Sequence, residues 1–345
     1  MRLNGVELRP DFGDPAAEAK ACRNYCALFD FSFISTARLG GKGARQAVEK
    51  FARRSLGSLA AGKIAYAVRA DEDGHARSDL TIWKNGDDSF DVMSGRAEDV
   101  GALVSAAGAD LRVEDVSAGN VTLALQGPSS LDALRAAGAP PEIGELRYFS
   151  FAGCDVAGIP CRVGRLGYTG EAGFEIIAAP HDAAKLRKHL AEYARPAGFI
   201  AADALRIEAG FVLFANEFRL PVSPREAGLG KFFDTGSEAT PELKLVTFHA
   251  GSGALRPLPW FSAVDPSRPR RPGEIAVTSA CRGISRSGIV GLGYVRSETP
   301  QAMPLQDPGG VFCDILQMPM PIYDPHKLRP RLEWHPCAMN SHGQT

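Results

Sequence analysis

The sequence of 345 residues contains no uninterrupted run of eighteen apolar residues and no excess of positive charge. A membrane-spanning helix needs about 20 mostly apolar residues, so none is expected. Lysine and arginine total 39 against 40 aspartates and glutamates, which gives a net charge of −1. Such a balance argues against binding to the phosphate backbone of nucleic acid. We therefore expect a small-molecule ligand that is held by local charges.

Cysteine is infrequent and follows no pattern, since the seven cysteines include no CxxC pair. The N-terminal residues also contain no apolar run of the kind found in a signal peptide. Both observations favour reduced thiols in a cytoplasmic protein. Cys22 and Cys26 are four residues apart and would share one face of a helix. Buried packing is preferred for them over a metal or redox role.

The common catalytic signatures are also absent from this sequence. It has no Walker motif, no GxGxxG after a strand, no GxSxG and no HExxH. The seven histidines are dispersed, and no cysteine or histidine spacing is typical of zinc. Nucleotide-dependent enzymes, serine hydrolases and zinc enzymes are therefore not indicated, and no metal site is expected.

Helix and strand patterns alternate without regular βαβ units, which favours an α+β fold. Residues 15–27, 43–56 and 200–213 have the patterns of helices, and residues 28–36 that of a strand. The composition changes at 235–242, where we predict a linker. The short apolar runs that follow it, LKLVTF, EIAVTS, GIVGLGYV and GVFCDIL, predict a small β-barrel. Residues 251–273 are expected to form a surface loop, and the tail beyond 330 to be loose.

The glycine-rich segment 165–175, RLGYTGEAGFE, is the first candidate for a binding site. Its three glycines would permit tight turns and the close approach of a ligand. Tyr168 offers a ring for stacking. Glu175 is expected to start a strand, where its carboxylate could accept two parallel N–H bonds from a planar ligand edge. A hairpin with solvated acids is the alternative interpretation.

Two further patterns place charged residues where function is possible. Asp203 and Arg206 are three residues apart in an apolar helix, where charges are expected to be paired or functional. Structural pairing is the preferred interpretation there. Asp79, after Ser78, begins the strand pattern DLTIW and could face a cleft.

Together these segments resemble the aminomethyltransferase (glycine cleavage T-protein) family. RLGYTGEAGFEI is similar to the family's R-x-GYTGE-x-GFEI, AADALRIEAG to ARDSLRLEAG, and VTLALQGPSS to ALLALQGP. LFDFSF, VSPREAGLG and IAVTSACRGISRSGIVGLGYV also have family counterparts, so the resemblance runs from about residue 18 to 325. The sequence departs from the family at Ala202, where the family has an arginine, at Ser78, where it has an aspartate, and at Phe33, where it has a histidine.

The resemblance implies an α+β fold with three domains in a cloverleaf around a folate channel. The domains would be 1–36 with 121–236, which binds folate, then 37–120, and a C-terminal β-barrel at 243–330. Carried over, Glu175 would hold the pterin edge of tetrahydrofolate and Asp79 would be the catalytic carboxylate near its reactive nitrogens. Tyr168 and Tyr323 would contact folate. Arg206 would supply folate-tail binding in place of the arginine replaced by Ala202.

The implied activity is transfer of an aminomethyl group to tetrahydrofolate, with a lipoyl carrier (H-protein) as a possible partner. A folate-dependent demethylase that uses a sulfonium, ether or N-methyl donor is one alternative. A folate-binding factor of the iron–sulfur assembly type is another, although those proteins carry a K-G-C-Y-type motif where this chain has SPRE at 223–226. The third alternative is a folate-binding protein without activity.

Overall fold

The computed structural model describes residues 2–234, 240–254 and 267–334. Its strands are β1 (Arg2–Leu3), β2 (Val6–Glu7), β3 (Ala27–Asp30), β4 (Ser35–Gly40), β5 (Ile64–Ala70), β6 (Ala76–Gly86), β7 (Ser89–Ser94), β8 (Arg112–Asp115), β9 (Val121–Gln126), β10 (Phe151–Val156), β11 (Ile159–Gly164), β12 (Gly173–Ala178), β13 (Arg195–Pro196), β14 (Leu243–Gly253), β15 (Ile275–Arg282), β16 (Ile289–Arg296) and β17 (Phe312–Met318). Its α-helices are α1 (Pro15–Asn24), α2 (Ala44–Ala52), α3 (Ala97–Val104), α4 (Ser130–Ala136), α5 (Ala183–Leu190), α6 (Phe199–Glu208) and α7 (Phe214–Glu217).

The described residues form three sheets beside the small β1–β2 hairpin. The first has six strands in the order β10-β11-β12-β9-β3-β13, and the second has five in the order β5-β6-β7-β4-β8. The third has four strands in the order β15-β16-β14-β17. The predicted mixture of helices and sheets is confirmed. Closure of the third sheet into a barrel, and the three-domain boundaries, remain predictions.

Local sequence explains where several elements begin and which faces they bury. The helix α1 begins at Pro15, and the Asp14 carboxylate caps it by accepting a hydrogen bond from the Ala17 amide at 3.0 Å. In α2 the buried stripe of Ala44 and Val48 packs on the second sheet, as its helical spacing predicts. None of the described helices combines the length and apolar character that a membrane crossing requires.

The four predicted elements have different bounds in the structure. The helix predicted at 15–27 ends as α1 at Asn24, and the helix predicted at 43–56 ends as α2 at Ala52, where Arg53 adopts a left-handed φ of +45°. The strand predicted at 28–36 is interrupted after Asp30, whose Oδ1 accepts hydrogen bonds from the Ser32 amide and hydroxyl. This Asx turn lets the chain leave the first sheet as β3 and enter the second sheet as β4. The helix predicted at 200–213 ends as α6 at Glu208, because Gly210 adopts a left-handed φ of +68°.

Parts of three predicted segments lie outside the described residues. These parts are 235–239 of the linker, 255–266 of the predicted surface loop and 335–345 of the tail.

The six described cysteines are free thiols, as expected for reduced cysteine. Cys22 and Cys26 are buried among apolar side chains, and burial raises the pKa of the Cys22 thiol to about 12. Packing is therefore their role.

An apolar contact joins the first and second sheets. Its buried members are Ile64, Trp83, Met93, Leu166 and Ile177. They come from β5, β6 and β7 on one side, and from β12 and the segment after β11 on the other. This contact fixes the facing surfaces of the two sheets, and polar side chains at its end define the candidate site.

Candidate functional site

A cavity of about 140 Å³ lies where the first and second sheets meet α7. We call it the central cavity, and Asp79, Tyr168 and Glu175 all line it. The structure therefore brings together three site residues that the sequence predicts. The remaining lining residues are Phe31, Phe33, Ile34, Tyr66, Leu80, Thr81, Met93, Ser94, Gly95, Phe149, Leu166, Gly167, Leu213 and Phe214.

Strand alternation turns Asp79 toward the central cavity. In β6 the side chains of Leu80 and Ile82 enter the core of the second sheet. Because successive side chains on a strand point to opposite faces, Asp79 and Thr81 face the cavity instead. Tyr66, on the neighbouring strand β5, donates a hydrogen bond from Oη to Asp79 Oδ2 at 3.2 Å. The carboxylate is thereby held in one orientation.

Burial sets the protonation of Asp79. Loss of water around the carboxyl raises its pKa to about 6, and the negative charges of Asp99 and Glu217 act in the same direction. The hydrogen bond from Tyr66 opposes this rise because it stabilises the ionised form. A carboxyl with a pKa close to neutrality can accept and return a proton at physiological pH.

Glu175 lies in the centre of the first sheet, in β12 between β11 and β9. Its neighbours Phe174 and Ile176 face the core of that sheet, so the Glu175 side chain points the other way, into the cavity. Only 7% of the residue is exposed. Within the described residues its carboxylate makes no hydrogen bond or ion pair, and desolvation raises its pKa to about 7. A buried carboxylate without a protein partner is costly, and its oxygens face the cavity, where they can accept hydrogen bonds from its contents.

Burial of this unpartnered carboxylate costs free energy of folding. We therefore expect Glu175→Gln to change the stability of the protein in a pH-dependent way. The folded-state pKa of about 7 exceeds the ordinary value of 4.5, so the stability of the wild type falls as pH rises between these values. We expect the variant to be more stable than the wild type by about 1–3 kcal/mol at pH 8, and nearly equal to it at pH 4. Urea unfolding at both pH values measures the difference. Exposed Glu72→Gln is the control, and a stabilisation of Glu175→Gln that is equal at pH 4 and pH 8 would contradict the expectation.

Tyr168 presents its ring rather than a free hydroxyl. Its Oη donates a hydrogen bond to the Val212 carbonyl at 2.6 Å, and its ring stacks on Phe211 with centroids 6.2 Å apart. The hydroxyl proton is therefore already used in a hydrogen bond within the protein. The ring is held rigidly as part of the cavity wall, where it offers a stacking surface.

Two of the three glycines in segment 165–175 make room for a buried side chain, while the predicted close approach of a ligand at Gly167, which lines the cavity, stays a prediction. A Cβ at Gly167 would lie 1.8 Å from Gln126 Oε1, and one at Gly173 would lie 2.5 Å from Gln126 Nε2. Gln126 is fully buried, donates to the Leu166 carbonyl at 3.1 Å and accepts from the Thr169 hydroxyl at 3.0 Å. These two glycines therefore admit a buried amide that ties the segment to β9. Gly170 fits the tight-turn expectation, with φ of +78°.

Arg206 is placed away from the central cavity, in a buried ion cluster. It is fully buried and pairs with Asp203 and Glu217, each at 2.8 Å. It also donates to the Ser279 hydroxyl at 2.7 Å and the Phe211 carbonyl at 3.1 Å. The preferred interpretation of structural pairing agrees with this geometry. A role in binding a folate tail has no support here, because the guanidinium is surrounded by protein acceptors.

Tyr323 also lies outside the lining of the central cavity. The guanidinium of Arg23 stands over its ring at 3.7 Å from the centroid, and Arg329 stands at 5.4 Å. Arg23 in turn pairs with Glu171 at 3.2 Å and Glu208 at 3.4 Å. Tyr323 thus belongs to a cluster that joins the C-terminal segment to α1 and α6, and its predicted contact with folate stays a prediction.

Sequence reasoning missed Tyr66 and most of the aromatic wall. The wall includes Phe31, Phe33, Phe149 and Phe214, and no lysine, arginine or histidine is among the described residues that line the cavity. Alternation in AYAV could have placed Tyr66 beside Asp79, since both face one side of a hairpin.

Two larger hollows, of about 590 and 910 Å³, contain neither Asp79 nor Glu175. The central cavity is preferred to them because it combines two carboxyls of raised pKa with stacking surfaces.

Comparison with known proteins shows the family to which this chain is related. The GCVT N-terminal domain family matches residues 9–236. Aminomethyltransferase of Geobacillus thermodenitrificans is 30% identical over 318 residues, covering 86% of each chain. That of Geobacillus kaustophilus is 34% identical over 247 residues, covering 69% of this chain and 68% of the relative.

The fold is also similar to a solved structure. Glycine cleavage system aminomethyltransferase T from Bartonella henselae superposes with a TM-score of 0.77, at 22% identity and over 93% of each chain. At that identity the superposition supports a shared fold and nothing further. The family match, by contrast, covers about two thirds of the sequence and includes both carboxylates of the central cavity. The chain belongs to the aminomethyltransferase family of the glycine cleavage T-protein.

Proposed function

We propose that this protein is a tetrahydrofolate-dependent one-carbon transferase that carries out the aminomethyl transfer for which its relatives are named. One observation carries the proposal: two carboxyls from separate sheets, Asp79 and Glu175, line a single cavity walled by aromatic rings. One of them has no protein partner among the described residues. Demethylation of a methylated donor has no comparable support, since the relatives are aminomethyltransferases.

The lining fits the pterin end of tetrahydrofolate. A pterin has flat faces and one edge that carries adjacent N–H donors. The Glu175 carboxylate can accept two parallel hydrogen bonds from that edge, which would satisfy its missing partners. The ring of Tyr168 provides a stacking surface. The described lining contains no cation, which suits a ligand group that donates hydrogen bonds better than an anionic one.

Asp79 is assigned the catalytic role. When tetrahydrofolate is bound, its two nitrogens take up the one-carbon unit as the bonds from that carbon to the donor sulfur and to the amino group break, so the products are methylenetetrahydrofolate, ammonia and the reduced thiol of the lipoyl arm. Positive charge develops on the transferred carbon, and a fixed carboxylate stabilises it more strongly in a dry cavity than in water. Asp79, oriented by Tyr66, can also accept a proton at its carboxylate because its pKa is about 6.

The donor and the finer architecture complete the proposal. An aminomethyl group carried on the lipoyl arm of an H-protein is the donor that the family implies, so H-protein is the proposed partner.

The three sheets would each lie at the centre of one domain of the cloverleaf, at 1–36 with 121–236, at 37–120 and at 243–330. Isolated bridges from Gln306 to Glu274 and from Leu305 to Ile315 support closure of the third sheet into a barrel.

Product analysis tests the activity. Purified protein is incubated with tetrahydrofolate and aminomethylated H-protein, and the folate products are separated by chromatography. We expect methylenetetrahydrofolate and stoichiometric ammonia. Methyltetrahydrofolate formed from methylated sulfonium or amine donors, with no product from the aminomethyl donor, would overturn the assignment in favour of a demethylase.

Substitution of Glu175 tests the binding mode. Glu175→Ala removes the proposed acceptor of the pterin edge, so we expect tetrahydrofolate to bind roughly 10- to 100-fold more weakly, the loss of one or two charged hydrogen bonds. Fluorescence titration measures the dissociation constant. Glu72→Ala, at an exposed position in the turn before β6, is the control. Unchanged affinity in Glu175→Ala would remove this residue from the binding site.

A further inference from the structure

The hydroxyl of Thr81 is oriented by one neighbour in the wall of the central cavity. Thr81 lines the cavity, and its Oγ1 accepts a hydrogen bond from the indole Nε1 of the fully buried Trp83 at 3.1 Å. An indole N–H can only donate, so the threonine oxygen is the acceptor in this bond. In the part of the chain that the structure describes, the hydroxyl proton of Thr81 has no acceptor of its own. This proton is therefore free to be donated to a ligand in the cavity.

The other hydroxyls of the described lining are already used as donors. Each donates to a group of the protein: Tyr66 to Asp79, Ser94 to Asp99, and Tyr168 to the Val212 carbonyl. The described lining also contains no lysine, arginine or histidine, and the carboxylates of Asp79 and Glu175 only accept when they are ionised. Thr81 thus provides the one side-chain donor that these lining residues leave for a ligand.

Thr81 lies beside Asp79 on one face of β6. Leu80, between them, enters the core of the second sheet, so both neighbouring side chains face the cavity. Two residues of a strand span about 7 Å, which allows both side chains to contact a single flat ring system. Tyr66 is paired with Thr81 across the hairpin and donates to Asp79, so the same two strands hold the donor and the carboxylate in place.

A pterin carries an acceptor at the corresponding place on its ring. Along one side of the ring system the groups follow in the order N5, the 4-oxo oxygen, N3–H and the 2-amino group. In the proposed binding mode Glu175 accepts from N3–H and the 2-amino group, and Asp79 stands near N5. The 4-oxo oxygen then lies between the groups that the two carboxylates contact. An acceptor that loses water on binding needs a donor there, because neither carboxylate can supply one when it is ionised.

We propose that Thr81 donates a hydrogen bond to the 4-oxo oxygen of the pterin and selects for rings that carry this acceptor. This inference rests on the proposed function, because it takes the pterin to lie between Asp79 and Glu175. A third polar contact beside N5 also fixes the position of the ring in its own plane, which the bonds to Glu175 alone fix only at the opposite end. Thr81 is accordingly a specificity-determining residue, and it takes no part in the transfer of the carbon.

Binding of two matched folates to the full chain tests the proposal without relying on turnover. The probes are tetrahydrofolate and its 4-deoxy analogue, in which hydrogen replaces the 4-oxo oxygen. Calorimetric titration at pH 8 gives the dissociation constants under conditions in which Asp79 and Glu175, with pKa values of about 6 and 7, are ionised. Thr81→Val removes the donor at nearly constant shape, and Thr81→Ser retains it. Thr240→Val, at an exposed position, is the matched control.

A second pair of variants separates the ligand contact from the structural contact of Thr81. Thr81→Val leaves the buried indole N–H of Trp83 without its acceptor, and circular dichroism checks that the variant is folded. If the single variant fails to fold, the double variant Thr81→Val/Trp83→Phe takes its place, with Trp83→Phe alone as its reference. Removing both partners of a buried hydrogen bond leaves no polar group unsatisfied, so this pair is expected to fold.

We expect Thr81→Val to bind tetrahydrofolate roughly three- to tenfold more weakly, which corresponds to one neutral hydrogen bond, and to bind the 4-deoxy analogue as the wild type does. Thr81→Ser should bind both probes like the wild type. A purely structural disturbance would weaken both probes alike, so the ratio of the two affinities identifies the contact. Equal losses for both probes, no loss for either, or a Thr81→Ser variant that behaves like Thr81→Val would overturn the role of Thr81 and leave the proposed function intact. Failure of the wild type to bind tetrahydrofolate would overturn both.

Discussion

Replacing Asp79 by asparagine is expected to slow one-carbon transfer by roughly 10²-fold or more while leaving tetrahydrofolate binding largely intact. Asparagine keeps the size of the side chain and can still accept a hydrogen bond from Tyr66. It cannot take up a proton or carry the negative charge that opposes the cation developing on the transferred carbon. Single-turnover kinetics and a fluorescence titration on the same preparation separate the effect on chemistry from the effect on binding.

The pH dependence of the wild type provides an independent check on Asp79. Its pKa of about 6 means that the carboxyl is ionised above this pH and protonated below it. If the ionised form is active, kcat/KM falls as pH decreases through about 6, and this limb disappears in Asp79→Asn. Tyr66→Phe removes the hydrogen bond that opposes the rise in pKa, so the limb should move to higher pH. Wild-type turnover in Asp79→Asn would exclude this residue from the mechanism.

Replacing Arg206 by methionine is expected to destabilise the fold by about 3–5 kcal/mol. The substitution leaves the carboxylates of Asp203 and Glu217 buried without their shared cation. It also removes the donor to Ser279, which links α6 to β15 of the third sheet. Urea unfolding at pH 7 measures the loss in the free energy of unfolding.

An exposed ion pair is the matched control for the Arg206 substitution. Arg271 and Glu274 are 2.9 Å apart, and the arginine side chain is 72% exposed. Arg271→Met should cost less than about 1 kcal/mol, because solvent already screens that pair. Similar losses for the two variants would show that the buried cluster does not hold the third sheet to α6. Loss of folate affinity in a fully folded Arg206→Met would instead restore the ligand role predicted from the sequence.

The sequence could identify Glu175 through its glycine-rich motif and Asp79 through the family resemblance, and strand alternation then determines which way each points. The structure adds that they enter the same cavity. The alternation in AYAV would have added Tyr66 to the face that carries Asp79. Phe214 could not be found in this way, because its place in the cavity wall depends on how α7 packs against other elements, and no local spacing records that packing.

Arg206 and the glycines show which contacts local spacing could not identify. A charged residue in an apolar helix must be paired or functional, but its partner Glu217 lies eleven residues further along the chain, beyond the reach of helical periodicity. Gly167 lines the central cavity, where its admission of a ligand stays a prediction, and its missing Cβ also makes room for Gln126 from another strand. The break after Asp30 was likewise hidden, because the apolar run continues across it while the chain changes sheets.

The crystal structure of the full chain bound to tetrahydrofolate tests the central claim most directly. The account predicts density for the pterin in the central cavity, with its N–H edge hydrogen-bonded to the Glu175 carboxylate and its reactive nitrogens on the side of Asp79. A pterin bound in the hollow of about 590 Å³ that Arg9 and Arg187 line, without contact to either carboxylate, would contradict it.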